Sequence, residues 1–301
     1  MPVIVSVIMP TCNAARYIKE SVQSVLNQTY REFELIIIDD ASQDGTENII
    51  KRIAEQDARI VLIRNKENMG VSQSRNIGVR CAKGLWVAFL DSDDLWDSQK
   101  LEKQMDLICS HPEAVITFTA SAFMDESGKR YSAILPAPPV FTYQELLKRD
   151  LLSCSSVVAR RDWMLRYPMT GAAVNEDYAV WLRVLREIPC AYGLNEPLLI
   201  YRVRRHSRSA HRIEAIGRSF RTYRYVGFSR PRAFWLVFRY GLYSLRKWWK
   251  ICHWKGRTFL WNRSFGNGLR GCVSEICGIF SSFSRLSYRR GSCEKRGLPF
   301  G

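Results

Sequence analysis

The sequence predicts an α/β protein with a mixed, mainly parallel sheet flanked by helices, and three observations predict it. Short apolar runs alternate with stretches of helical apolar spacing through the first 120 residues. Two of the runs, Phe33 to Ile38 and Leu85 to Leu90, end abruptly in acids, Asp39-Asp40 and Asp91-Ser92-Asp93-Asp94. The residues after the first pair, Ala41 to Gly45, are turn formers that lead into another helical stretch. Right-handed crossovers put such helices on the sheet faces and the carboxyl ends of the strands along one edge, where ligands of open α/β sheets bind.

Taken in order, Val3 to Met9 reads as a buried strand that Pro10-Thr11-Cys12-Asn13 breaks, with Asn13 as N-cap of a helix carrying Ile18, Val22, Val25 and Leu26. Phe33 to Ile38 is the second strand, followed by a helix with Ile49, Ile50 and Ile53. Arg59 to Ile63 is the third, and Asn65 to Gly70 a loop into a helix from Val71 to about Cys81. The fourth strand ends at Asp91. Ser98 is expected to cap a helix bearing Leu101, Met105 and Ile108, and Val115 to Thr119 to resume the sheet. Beyond it lie a turn at Asp125 to Gly128, a Pro-rich loop from Leu135 to Val140 and a strand from Cys154 to Ala159. Asn175-Glu176-Asp177 opens a helix with Val180, Trp181, Val184 and Leu185 inward. Leu198 to Val203 is a strand leading into the basic loop Arg204 to Ser209.

Carboxylates crowded at the end of a buried strand need a cation. Mg²⁺ and Mn²⁺ take oxygen ligands and are commonly held by one or two carboxylates plus substrate phosphates, which makes a nucleoside diphosphate the natural guest. From Asp91 to Asp94 alone, an acidic turn capping the next helix stays an equal alternative.

Composition divides the chain in two. Residues 202 to 301 carry 23 Lys and Arg against three acids, so the net charge of +16 belongs to the C-terminal third, and residues 1 to 201 are net −4. Nine scattered cysteines without CxxC spacing indicate neither a disulfide framework nor a zinc site and suit a reducing cytoplasm. The first residues lack a basic region and cleavage site, which argues against secretion, and no apolar run reaches the ~18 residues of a spanning helix.

Together, Val5 to Asn13, Ser24 to Tyr30, Ile38 to Thr46, Gly70 to Gly78, Ala88 to Trp96, Asn175-Glu176-Asp177 and Leu194 to Arg202 resemble the family 2 glycosyltransferases of bacterial surface-polysaccharide synthesis, in that family's order over residues 3 to 210. The resemblance implies the GT-A fold and a hexosyltransferase-like, inverting transfer from a nucleotide-sugar, a UDP-sugar by preference, to a saccharide or polyprenyl-linked acceptor. It implies a nucleotide site of Pro10, Thr11, Asn13, Asp40, Arg75 and Asp91, with Asp40 accepting from the imide N–H of a uracil-like base, a role that suits an acceptor-only carboxylate. It assigns Asp93, with Asp91, to a Mn²⁺ or Mg²⁺ ion, Asp177 to the general base and Glu176 to orienting the base or acceptor. It places Arg202, with Arg205 and His206, on a loop that folds over the diphosphate. One departure is Cys12, where the family commonly has a tyrosine able to stack on the base.

From Phe228 the chain turns aromatic and basic, with five of nine tryptophans between 235 and 261. Rings favour the headgroup layer and cations favour anionic lipid, so residues 211 to 261 read as a helical extension on a membrane surface, with 262 to 301 lacking stable structure. The catalytic domain is then 1 to 210, peripheral at the cytoplasmic face of the inner membrane. Two other readings stand beside this one: a nucleic-acid surface, which the Phe234 to Tyr243 apolar stretch disfavours, and an amphipathic helix packed on the catalytic domain. For the whole protein the rivals are a nucleotidyltransferase, which needs no base below a sugar, and a non-catalytic nucleotide- or sugar-binding protein. A dinucleotide oxidoreductase is disfavoured by a first turn, Pro10 to Asn13, without the glycine fingerprint.

Overall fold

The computed structural model describes residues 4–171, 173–204 and 212–239. Its parallel half is built from β1 (Val5–Thr11), β2 (Phe33–Asp39), β3 (Ile60–Arg64) and β4 (Trp86–Phe89), in the spatial order β3-β2-β1-β4. The connecting helices are α1 (Ile18–Leu26), α2 (Thr46–Ala54) and α3 (Val71–Cys81). Because strand side chains alternate, Val5, Val7 and Met9 of β1 enter one core with Ile18, Val22 and Val25 of α1, while Ile8 enters the other with Val79 of α3. Both faces are therefore covered, which is why these strands read as continuous apolar runs. The strand order reverses between β1 and β4, the place where such sheets open a crevice beyond the strand ends.

The second half is mixed. After the acids comes β5 (Leu95–Trp96), then α4 (Lys100–Ser110), the long β6 (Ile116–Met124), β7 (Arg130–Leu135), β8 (Val140–Phe141) and α5 (Tyr143–Lys148). A single 3-10 turn, Cys154–Ser156, precedes β9 (Val158–Arg160), α6 (Arg161–Arg166), α7 (Glu176–Val184) and β10 (Ala191–Arg202). β9 lies antiparallel between β4 and β6, β10 runs parallel to β6, and β5 and β8 pair antiparallel with β10. β7 extends β6 as an antiparallel neighbour.

Several local expectations are corrected. β1 runs on through Pro10 and Thr11, and Asn13 has φ 50° five residues ahead of α1, so it caps a turn and not the helix. Ser98 does not cap α4, whose N-cap is Gln99. The strand expected over Cys154 to Ala159 is half 3-10 turn.

The described residues, to 239, belong to one compact unit. Helix α8 (Arg212–Tyr225), a further helix over 230–239 and the turn between them add Tyr223, Val226, Phe228, Ala233 and Leu236 to the core that holds Trp181 and Tyr178 of α7. To residue 239, then, the basic segment packs on the catalytic body; the expectations for 240 to 261 and 262 to 301 lie outside the described residues. Among the described residues no helix is long and apolar enough to cross a membrane.

α3 is seated by a missing side chain. A Cβ on Gly78 would lie 2.5 Å from Ile8 Cγ2 and 2.9 Å from Ile38 Cδ1, so only glycine lets the helix lie this close to β1 and β2. Gly78→Ala is expected to lower stability by about 1–3 kcal/mol, the usual range for overpacking, read as a lower urea midpoint at unchanged slope.

Candidate active site

At the carboxyl edge of the parallel strands the chain gathers its acids. β2 delivers Asp39 and Asp40, both buried. The Asp40 carboxylate accepts from Asn65 Nδ2 (2.7 Å), Met69 N (2.8 Å) and Gly70 N (2.8 Å), and so fixes the loop that leads into α3. A carboxylate has about four acceptor positions, so these three leave room for one more donor. Pro10 and Thr11 end β1 beside it, and the Thr11 hydroxyl is buried without a hydrogen-bond partner. Asn13, in its left-handed conformation, donates its N–H to Ser42 Oγ (2.9 Å) and accepts from Gln43 N (2.8 Å). Exposed Cys12 accepts from Asn68 Nδ2 (3.2 Å).

β4 delivers the acids from Asp91 to Asp94, and they are not equivalent. Asp91 is half-buried; its N–H donates to Ser155 Oγ (3.1 Å), and its Oδ1 accepts from Arg75 Nη2 (2.6 Å). Asp93 is pushed above the usual carboxylate range by burial and by Asp91, which the charges of Arg204 and Arg202 partly offset. Its Oδ2 pairs with Arg204 Nε at 2.8 Å. Asp94 is fully buried and pushed well up by burial, Asp93 and Asp91; it accepts the Arg202 N–H through Oδ1 (2.9 Å) and its Oδ2 has no partner.

Two of these groups suit an oxygen-loving divalent ion. Asp91 and Asp93 are both carboxylates, both still partly open to solvent, and they repel each other enough to hinder ionisation of Asp93. Among the described residues no cluster of three or more acidic, histidine or cysteine side chains is arranged to hold an ion by itself. An ion here would need substrate oxygens to complete its shell, as Mg²⁺ and Mn²⁺ sites commonly do.

α7 brings the remaining acids. Its start is held by the basic segment: Asn175 N donates to Thr222 Oγ1 (2.9 Å) and Asn175 Nδ2 to Ser219 Oγ (3.3 Å), both on α8. Asp177 is half-buried, and burial followed by the charge of Glu176 pushes its carboxyl up to about 6. Arg75 and the Tyr178 N–H (2.8 Å) oppose that rise without cancelling it, so the helix-start position expected to favour the ionised form is outweighed.

Arg75 joins the two acid groups. Its guanidinium is 4% exposed and gives Nη2 to Asp91 and Nη1 to Glu176 Oε1 (3.3 Å). Burial opposes its charge, but Asp91 and Glu176 more than restore it. Neighbouring Asn76 exchanges two hydrogen bonds with the Met169 backbone (2.8 and 2.9 Å), tying α3 to the segment that leads to α7.

Arg75, expected at the nucleotide, gives its two terminal nitrogens to Asp91 and Glu176. Arg202, expected as a diphosphate-facing cation, lies beside the acidic turn. It is 3% exposed and packs over the Tyr17 ring (4.6 Å), with Nη2 on Glu20 (2.8 Å) and Nε on the Asp93 carbonyl (2.8 Å). It fixes the acidic turn, and Arg204 is the cation paired with the Asp93 carboxylate. Arg205 and His206 lie outside the described residues. The supporting residues Asn65, Asn76, Ser155 and Thr222 were missed, because polar residues in helices and loops carry no periodic signal of what they touch.

Residues 6–163 match the family model described as Glycosyl transferase family 2. The chain is 34% identical to TuaG of Bacillus subtilis (strain 168), named for teichuronic acid biosynthesis, over 81% of this chain and 97% of that protein. It is 31% identical to WfaP of Escherichia coli, a UDP-Glc:α-D-GlcNAc-diphosphoundecaprenol β-1,3-glucosyltransferase, over 81% and 95%. Among solved structures it is similar to Staphylococcus aureus TarS 1-349 in complex with UDP-GlcNAc, at a TM-score of 0.63 and 18% identity over 79% of this chain and 71% of that one. It is also similar to the mannosyltransferase PcManGT of Pyrobaculum calidifontis in complex with GDP-Man and Mn²⁺, at 0.58 and 16% over 95% and 84%. These two likenesses show the fold, which is the GT-A arrangement the motifs implied.

Removing the guanidinium strands buried carboxylates. Arg75→Met is expected to cost about 3–5 kcal/mol, the range for breaking a buried ion pair from one side, measured by urea unfolding at neutral pH.

Proposed function

The chain belongs to the family 2 glycosyltransferases, and on that premise we propose that it transfers a sugar, with inversion, from a UDP-sugar to a saccharide carried on a polyprenyl diphosphate during assembly of a bacterial surface polysaccharide. The observation that carries this reading is the Arg75 bridge, which puts a pair of metal-competent carboxylates and a carboxylate poised near pH 6 on two sides of one buried cation. A binding protein has no use for a base tuned to that range, and a nucleotidyltransferase needs none beneath a sugar.

Each residue then has a task. Pro10, Thr11 and Asn13 line the nucleotide end, and Asp40 uses its remaining acceptor position for the base N–H, while its other three bonds keep the carboxylate oriented. Asp93 and Asp91 hold Mn²⁺ or Mg²⁺, which when bound offsets the charge that grows on the departing diphosphate. Asp177 takes the proton of the attacking hydroxyl, and Glu176, fixed by Arg75, sets its position and raises its basicity. Arg202 keeps the 91–94 turn in place from below, and Arg204, with Arg205 and His206, supplies cations for the leaving group. Arg75 acts through the acids it holds and is a positioning residue. The names of WfaP and PcManGT support a lipid-linked acceptor and a metal ion respectively.

An anionic membrane surface is the proposed partner of the basic segment, at the cytoplasmic face where lipid-linked intermediates are reached. Ile216, Tyr225, Phe234, Trp235 and Phe238 remain exposed on helices rich in arginine, although the opposite sides of these helices are buried.

The test is UDP release from a panel of UDP-sugars, UDP-glucose first, with α-D-GlcNAc-diphosphoundecaprenol as acceptor and Mn²⁺ or Mg²⁺ present. Acceptor-dependent release that falls at least a hundredfold in Asp177→Asn, with UDP affinity unchanged, supports the reading; UDP binding without release from any donor favours a binding protein. The pH dependence has a definite sign. A base whose pKa is raised is protonated, and idle, below it, so kcat should fall tenfold per pH unit below about 6 and level off above it. A rate that holds steady down to pH 4.5 would exclude Asp177 as the base.

A further inference from the structure

The segment that carries Asp91 and Asp93 is held along one side of α1. Ser21, Ser24 and Gln28, at helical spacings of three and four, form a polar stripe on that helix and just beyond its end. The Ser21 hydroxyl donates to the Ser92 carbonyl (2.9 Å). Ser24 Oγ accepts the Trp96 N–H (3.2 Å) and donates to the Ser21 carbonyl (2.7 Å). Gln28 gives Nε2 to the Asp97 carbonyl (2.6 Å) and takes the Leu101 N–H on Oε1 (2.9 Å), and the Thr29 N–H donates to the Ser98 carbonyl (2.9 Å). The stripe thus follows the chain from the acidic turn through β5 to the start of α4. Ser24 to Tyr30 is one of the segments that resemble the family, and none of the tasks assigned above falls to it.

Ser21 is where this stripe meets the site. It is fully buried, and Ser92 stands between the two acids assigned to the ion. A hydroxyl has one proton to donate, and the other acceptor within reach, the Tyr17 carbonyl, is 3.4 Å away, so the proton goes to Ser92. The next carbonyl, of Asp93, accepts from Arg202 Nε, and Arg202 is held in turn by Glu20, the residue before Ser21. Two adjacent residues of α1 therefore fix two consecutive carbonyls of the turn, one directly and one through Arg202. The Asp91 N–H is fixed by Ser155. With its main chain tied at Asp91, Ser92 and Asp93, the turn has little freedom to swing its carboxylates.

We propose that Ser21 is a positioning residue for the metal-binding turn, whose bond to the Ser92 carbonyl keeps the carboxylates of Asp91 and Asp93 together for one divalent ion. The inference rests on the assignment of these two acids to Mn²⁺ or Mg²⁺ given above. Two like charges repel, so an empty pair tends to part unless the backbone beneath it is held. Losing the Ser21 bond frees the Ser92 peptide to rotate, and the ion must then gather the two carboxylates as it binds. Groups that orient the ligands of a metal act in this way without touching it.

The experiment titrates Mn²⁺ into the full chain with UDP present and follows the loss of the free-ion EPR signal. Ser21→Ala, which keeps a strong helix former in α1, is expected to raise the Kd for Mn²⁺ about tenfold, the lower end of what losing a group that orients metal ligands costs. The Kd for UDP in EDTA should stay at the wild-type value. Ser21→Thr keeps the hydroxyl and should hold the Mn²⁺ Kd within about threefold of the wild type. Val25→Ala removes core packing from the same helix and leaves every bond of the stripe in place, so it should lower the urea midpoint without moving the Mn²⁺ Kd. If Ser21→Ala does not fold, Ser21→Cys, close in volume and a weak donor, replaces it with a rise in the same direction. An unchanged Mn²⁺ Kd in the folded Ser21 variant, or an equal rise in Val25→Ala, overturns the assignment. A wild-type chain that binds neither Mn²⁺ nor Mg²⁺ with UDP present defeats the metal reading itself, which separates the two failures.

Discussion

The buried guanidinium of Arg75 is the interaction on which the rest of the site depends. Withdrawing an arginine from water is costly, and carboxylates in good geometry are what offset that cost. Here one planar group gives separate nitrogens to Asp91 at the end of β4 and to Glu176 at the start of α7, elements 85 residues apart in the chain. Stability is a weak reason for such an arrangement, because an apolar contact of the same shape would serve about as well. Geometry is the better one, since a planar fork sets the direction of both partners. The same helix adds the Asn76 bonds to Met169 and the glycine that lets it lie against β1 and β2, so α3 works as the spacer between the two acid groups.

Around this spacer the site carries more negative charge than its own cations relieve. Asp93 and Asp94 are both raised by burial and by their neighbours, and Asp94 accepts the Arg202 backbone N–H. Arg202 is absorbed into the support of the same turn, with Glu20 and Tyr17 as partners. What stays partly open is the pair Asp91 and Asp93, with Arg204 on the latter. On the other side, burial and then Glu176 push the Asp177 carboxyl up to about 6, and α8 holds Asn175, the N-cap of its helix. The basic segment thereby helps to position the start of the helix that carries Asp177.

Much of this was legible in the sequence. The four parallel strands, α2 and α3 follow from apolar runs and periodicity, because strands buried on both faces leave an unbroken apolar signature. The acids stood out for the opposite reason, as charges where a buried strand stops. The mixed half was harder. β5 and β9 are two and three residues long, too short for a period to register, and β9 is placed by pairing with β4 and β6, which lie far away in sequence. Sequence gives the charge of Arg75 and Arg202 and not their burial, so the carboxylates and the ring that each meets in the fold, supplied by tertiary contacts, were not legible in it. Asn13 read as a helix cap for its residue type, whereas its left-handed backbone makes it the hinge of a tighter turn. The basic tail read as a surface because arginine dominates its composition, and the apolar stripe that buries Tyr223 and Leu236 was hidden among the cations.

If Arg75 is what couples the two acid groups, that coupling is measurable. A double-mutant cycle with Asp91→Asn and Glu176→Gln, followed by urea unfolding in the wild-type and Arg75→Met backgrounds, tests it directly. With Arg75 present the two substitutions should be non-additive by about 0.5–3 kcal/mol, and without it that coupling should vanish or change sign as the carboxylates are left to repel each other. The same coupling energy in both backgrounds would contradict the account, since the two ends of the site would then be held together by something other than this guanidinium.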